Sequence, residues 1–156
     1  EAMIRIENVT TTSVTFEIDH WEYTNAITAV DTPINIFVIE PGTYNLNTDT
    51  VLIVGRGTAS GASTTISYGS TFTGTLSPVV FPQLQSSIDD TPAVPRISAT
   101  TSSSFTMMIE REETYANGTH GSETVGFMAI TNGLSNDVVI TGQETGVREN
   151  WVTVTY

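Results

Sequence analysis

The chain contains no cysteine and no lysine. Without cysteine it has neither disulfides nor thiolate metal sites. Without lysine it cannot form a Lys–Asn isopeptide staple, and a β protein lacking both staples relies on its core and on its neighbours. Positive charge is scarce: five arginines (Arg5, Arg56, Arg96, Arg111 and Arg148) stand against 17 acids, for a formal net charge of −12. Such a chain repels phosphate backbones, so no nucleic-acid partner is expected. Anionic membrane surfaces are disfavoured on the same ground. No apolar run approaches the about 18 residues of a membrane-spanning helix, so no membrane insertion is expected. No window of about ten residues keeps helical spacing, and no stretch reads as a signal peptide.

What is present points to strands. The length of 156 residues allows one ordinary domain or two small ones. Serine and threonine are abundant, and β-branched residues dominate the apolar set, a composition that fits pleated surfaces. The acidic charge keeps such a threonine-rich surface soluble. A lysine-free, cysteine-free β chain fits an extracellular or cell-surface location. Its opening at Glu1 rather than at a methionine fits a processed or excised chain.

The sequence states one theme twice. "RIENVTTTSVTFEI" (5–18) and "RISATTSSSFTMMI" (96–109) lie at a spacing of 91. At that spacing "IFVIEPG" (36–42) falls on "FMAITNG" (127–133). With a few residues of slippage "VLIVG" (51–55) matches "VVITG" (138–142), and "TTISY" (64–68) matches "VTVTY" (152–156). Preserved order over this length indicates two copies of one module.

Each copy reads as short strands. In "VTFEID" the residues Val14, Phe16 and Ile18 alternate with polar ones, as do Phe105, Met107 and Ile109 in "FTMMIE". Period two predicts one buried and one wet face, so these six side chains are expected in the core. "NIFVIE" and "GFMAIT" are continuously apolar, as central strands covered on both faces would be. "EPGTYN", "GRGTASGAS", "ANGTHGS" and "TNGLSND" carry turn chemistry. The expected fold is all-β, with two antiparallel β-sandwich modules at 1–76 and 77–156. Strands are expected near 2–8, 14–21, 34–40, 51–54 and 64–68 in the first. The second offers 78–86, 94–99, 105–112, 123–131, 137–141 and 151–156. The opening strand "SPVVFPQLQSS" (77–87) has no counterpart in the first copy. A vacancy is therefore expected beside the N-terminal strand, to be filled by a neighbouring subunit, by residues preceding Glu1, or by 69–76 folding back.

"SPVVFPQLQSS", "PRISATTSSSFTMMIE" and "ETVGFMAIT" together resemble the H-type lectin module. That family's pattern is a Pro-Val-Val opening strand, an Arg-Ile strand, a Thr-x-x-x-Phe strand and a Val-x-Trp-x-Ala strand. The resemblance covers most of 77–131 and, more weakly, 3–40. It implies a six-stranded antiparallel β-sandwich that tends to oligomerise. Phe127, and Phe37 in the first copy, stand where the family has tryptophan, and no sugar-binding residue is carried over. Tandem modules of this kind also resemble those of large bacterial surface proteins, which are often adhesive or structural.

Candidate sites are few. Glu110 and Glu112 alternate along one strand face, so they could jointly hold Ca2+. With Glu113, His120 and Glu123 they could also form a polar sugar clamp, or simply a solvated strand end. Asp89 and Asp90 in "SIDDT" could hold a cation or form an Asp-rich turn. His20, Trp21 and Tyr23 in "DHWEY" could stack on a sugar or cap a core or subunit contact. His120 in the second copy is a further candidate for sugar contact. Asn8 ("NVT") and Asn117 ("NGT") are N-glycosylation sequons, with Asn117 on an expected exposed hairpin. "TTTS" (10–13) and "TTSSS" (100–104) offer hydroxyls for O-linked sugars or are ordinary polar turns.

No nucleophile elbow or His-Glu-x-x-His motif occurs, so no enzyme and no cofactor other than that Ca2+ is expected. Two roles remain. One is a structural or adhesive subunit of a filament or surface array, partnered by copies of itself through head-to-tail β contacts. The other is a lectin-like module that binds glycans and forms a discrete oligomer.

Overall fold

A computed structural model describes residues 2–20, 35–46, 48–73, 77–111 and 118–131. Nine strands run in chain order: β1 (Ala2–Val9), β2 (Val14–His20), β3 (Gly42–Asn45), β4 (Val51–Ala59), β5 (Thr64–Ser67), β6 (Val79–Leu84), β7 (Ala93–Thr100), β8 (Ser104–Arg111) and β9 (Glu123–Ile130). Every pairing is antiparallel, and no helix occurs among the described residues. One sheet has the order β3-β4-β9-β6, a second β5-β8-β7, and β1-β2 is a separate hairpin.

The two larger sheets share one core. Ile53, Ala59, Leu84, Val125, Phe127 and Ala129 of the first meet Ile66, Ala93, Phe105, Met107 and Ile109 of the second. Strand alternation selects these residues, because every second side chain points inward. The rings interlock: Phe105 and Phe127 sit 5.2 Å apart at 68°, and Tyr68 stacks on Phe105 at 5.8 Å. Tyr68 also meets Phe72 edge-on at 5.4 Å. β9 lies between β4 and β6, so its continuous apolar run is explained. Val125, Phe127 and Ala129 face the core, while Met128 faces the first hairpin across a cleft.

Gly55 and Gly57 are strand residues rather than the turn their composition predicts. A Cβ on Gly55 would lie 2.6 Å from the Phe127 ring, and one on Gly57 would lie 2.8 Å from Ile66. These glycines let core side chains press against the β4 backbone. β3 likewise lies where "PGTYN" reads as a turn.

The two hairpins that carry the repeated theme coincide in detail. Ile6 faces Phe16 as Ile97 faces Met107, and Asn8 faces Thr15 as Ala99 faces Thr106. The register shifts at the same place, between Ile6 and Asn8 and between Ile97 and Ala99. The turns also match. The Thr10 N–H donates to the Ser13 carbonyl at 2.8 Å, as Thr101 does to Ser104. The Thr10 hydroxyl accepts from the Ser13 N–H at 2.9 Å, and Thr101 from Ser104 at 3.0 Å. This local capping by threonine fixes loop length and hence register.

Their surroundings differ. β8 is flanked by β7 and β5, whereas β2 pairs only with β1 among the described residues. Phe105, Met107 and Ile109 are accordingly buried, but Val14 and Phe16 are only half-buried and Ile18 is exposed. The expected burial therefore holds for the second trio and fails for the first, which has no β5-type neighbour among the described residues. The expected strand at 34–40 is also corrected: residues 35–40 form no strand. The expected opening strand, β6, pairs with β9 rather than with β7, so its counterpart place lies beside 35–40 and not beside β1. Phe72, in the segment expected to fold back, is buried in the shared core. Pairing also crosses residues 76 and 77, since β4 joins β9 and β5 joins β8. The strands expected at 137–141 and 151–156 lie outside the described residues.

Two stability outcomes follow. Phe105→Ala is expected to cost about 3–5 kcal/mol in urea unfolding, and Val14→Ala, at the equivalent place in the first hairpin, far less. Burial pushes the Tyr68 phenol up from 10.0 to about 12. The fold holds this phenol neutral, so its contribution is present below 10.0 and lost as pH rises through about 12. Tyr68→Phe should therefore flatten the alkaline limb of a stability–pH curve, and an unchanged limb would contradict that origin.

Candidate functional site

Two places concentrate unusual features: a polar lock at one end of the sandwich, and an apolar edge formed by the first hairpin with residues 35–40.

The lock joins the 86–91 loop to the start of β9. Glu123 opens an otherwise apolar strand and is 1% exposed. Its carboxylate accepts from the Ile88 N–H at 2.9 Å, from the Asp89 N–H at 2.8 Å, and from the Ser86 hydroxyl. Ser86 in turn accepts from the Thr124 N–H at 2.7 Å. Asp89 accepts from the Gly121 N–H at 2.8 Å and from the Thr91 N–H at 3.0 Å. Partial burial opposes ionisation of Asp89. The Gly121 amide, the Thr91 hydroxyl and amide and the neighbouring His120 outweigh it, holding the carboxyl well below its ordinary range. Arg111 lies 3.8 Å from Asp89 and donates to the Thr91 hydroxyl at 2.6 Å. His120 is 3% exposed, with Nδ1 3.0 Å from the Gly121 carbonyl and Nε2 3.2 Å from the Thr91 carbonyl.

Arg5 connects this lock to the first hairpin by donating to the carbonyl oxygens of Asp89 and Asp90, the latter at 2.9 Å. Arg96, its counterpart in the repeat, instead pairs with Glu110 on the exposed face of the second hairpin. Arg5, Gln83, Thr91, His120 and Glu123 line a cleft of about 410 Å³.

The sequence candidates separate accordingly. Asp89 and Asp90 lie in the lock, where the Asp89 carboxylate is taken up by backbone amides and the Asp90 carbonyl by Arg5. His120 lies there too, buried against backbone carbonyls rather than presented to solvent. Glu110 is exposed and paired with Arg96. Asn8 is exposed at the bulge of β1. His20 ends β2. Trp21, Tyr23, Glu112 and Asn117 lie outside the described residues. Among the described residues no group of three or more His, Asp or Glu side chains could hold a metal ion. Glu123 is the residue whose importance composition hides. Its signal is a lone acid at the head of "TVGFMAI".

The second place is apolar. Ile36, Phe37 and Val38 are 54%, 73% and 75% exposed. Ile4, Ile6, Val14 and Phe16 of the hairpin face Phe81 and Met128 of the larger sheet across a cleft of about 300 Å³. These are large apolar groups left in contact with solvent. Among the described residues the edge of β2 away from β1 has no strand beside it.

A scan against protein-family models finds no match, and neither the curated proteins nor the solved structures compared with the chain match it.

The lock should govern acid stability. Asp89, held low in the fold, contributes stability that is present above its ordinary value of 3.8 and lost as pH falls through its folded value. Asp89→Asn is expected to be less stable than the native chain at neutral pH, with the gap closing below 3.8. A gap that stays constant through the acid range would rule the lock out as its source. Glu123→Ala, which leaves buried amides unpaired, should cost about 1–3 kcal/mol in the same assay.

Proposed function

We propose that the chain is a non-catalytic structural or adhesive protein of the cell exterior, built from repeated β-sandwich modules and assembling with copies of itself into a filament or surface array. The observation that carries this reading is the first hairpin. It has the register and turn of the second, yet its core-facing side chains stay half-buried and its β2 edge is unpaired among the described residues. A hairpin whose second edge has no partner among the described residues favours association through main-chain pairing. Contacts of one surface with a different surface of the next copy are heterologous, and they propagate unless the rotation closes a ring. The resemblance to H-type lectin modules and to bacterial surface proteins agrees with this role.

A second reading is a lectin-like module that binds glycans within a discrete oligomer. It draws on the cleft beside Arg5, Gln83 and Thr91, which combines polar groups with apolar walls.

Light scattering over a concentration series, with electron micrographs of the same samples, tests the first reading. Mass that grows with concentration into filaments is expected. A constant small oligomer that binds on a glycan array would select the lectin reading, and a monomer at every concentration would remove self-assembly.

A further inference from the structure

We propose that the outer face of the larger sheet, beneath residues 36–41, is a binding groove for a single-chain amphiphile with a carboxylate head and one hydrogen-bond donor beside it, the chemistry of an N-acyl amino acid. The groove lies within one chain and does not depend on the self-assembly reading.

Strand register builds it. β9 runs between β4 and β6, so residues opposite one another form rows across three strands. Val54, Met128 and Phe81 make one row. Arg56, Gly126 and Gln83 make the next. Val125, Phe127 and Ala129 point into the shared core, so alternation puts both rows on the opposite face. Two residues along a strand span about 6.6–6.8 Å, so an apolar row and a polar, cationic row lie side by side. Residues 36–39, Pro41 and the first hairpin supply the facing wall. The space between is about 180 Å³. It adjoins the cleft of about 300 Å³, which shares Ile36, Phe37, Phe81 and Met128. Together the two reach the size of small-molecule sites, about 300–1,000 Å³.

Two polar groups in the groove have bonding capacity that the fold does not use. Arg5 is held by backbone carbonyls, and Arg96 and Arg111 lie against carboxylates. Arg56 is exposed and makes no hydrogen bond or ion pair among the described residues. Gln85 Oε1 is buried without a hydrogen-bond partner. The Gln85 side chain lies over Gly126, where a Cβ would come within 2.2 Å of its amide nitrogen. The missing side chain at 126 thus lets this amide sit in the row that Arg56 and Gln83 flank.

These groups fix the ligand's chemistry. An unpaired guanidinium beside an apolar row, in a chain of net charge −12, selects an anion, and its planar fork suits a carboxylate. A buried amide oxygen without a partner calls for an N–H or O–H next to that carboxylate. The alkyl chain then lies along Val54, Met128 and Phe81 and covers Ile36 and Phe37, which are otherwise in solvent.

Isothermal titration calorimetry of the whole chain with N-decanoylglycine, kept below its micelle concentration, tests the site. One-to-one binding is expected. N-decanoylsarcosine, whose amide has no N–H, should bind about 2–10-fold more weakly, and decyltrimethylammonium should not bind. Arg56→Gln should weaken N-decanoylglycine at least about tenfold. Arg96→Gln, on the second hairpin, should leave its affinity unchanged. In amide NMR spectra the Gly126 and Gln85 backbone signals should move on binding, while that of Thr91, in the cleft beside Arg5, stays in place. No binding of N-decanoylglycine overturns the proposal. So does equal binding of the cationic amphiphile, or a loss as large with Arg96→Gln as with Arg56→Gln, since either reports adsorption rather than this groove. Shifts centred on Thr91 place the ligand in the other cleft and overturn it too. Equal affinity for N-decanoylsarcosine overturns the role given to Gln85. Each of these results leaves the self-assembly reading standing.

Discussion

The Phe127 ring is the contact on which the sandwich depends. It projects from the central strand of the larger sheet and meets Phe105 of the smaller one at 5.2 Å. On its flank it touches Tyr68 at 5.9 Å, and it occupies the space a side chain at Gly55 would need. One ring thus sets the spacing of the two sheets, the identity of a β4 residue and the position of the chain after β5. Aromatic pairs in offset and edge geometries add about 0.5–1.5 kcal/mol each beyond burial, so this cluster both stabilises and orients. With no disulfide available, such packing carries the load that covalent links carry in many small β domains.

Around that core the same sequence theme meets two fates. Hairpin geometry is decided locally, by the threonine-capped turn and the bulge that follows it, so both copies fold alike. Burial is decided by neighbours distant in sequence, and these differ. Arg5 and Arg96 show the divergence in single residues. One ties its hairpin to the carbonyls of a neighbouring loop, and the other makes an exposed ion pair of the kind worth about 0–1 kcal/mol.

Much of this was legible in the residues. Alternation at Phe105, Met107 and Ile109 placed β8 and its inner face, and the unbroken apolar run at 125–130 placed a central strand. Local turn chemistry marked both hairpins. What was not legible depends on partners outside any local window. Gly55 and Gly57 read as turn residues because their reason for being glycine is a ring and an isoleucine from other strands. The run at 35–40 read as a buried strand because its composition matches β9, but pattern cannot supply the flanking strands. Glu123, Asp89 and His120 read as ligand candidates because acids and histidine look alike whether they face a metal or backbone groups. Only the loop geometry at 86–91 distinguishes the two.

The crossing of strands between the halves also shapes how the chain reaches its fold. The turns at 10–13 and 101–104 close over a few residues, and isolated hairpins of this kind form in about 1–10 μs. The β4–β9 ladder must instead bring together groups such as Val51 and Thr131, which are 80 residues apart. Loop closure over that distance costs entropy before any contact repays it, so high contact order makes closure of the larger sheet the slow event. Between those two times the chain holds ready-made hairpins with their apolar faces in water. Other chains arriving in that interval compete with β4 and β5 for the same edges, so the order of folding and crowding at the site of synthesis would decide which pairings a newly made chain adopts.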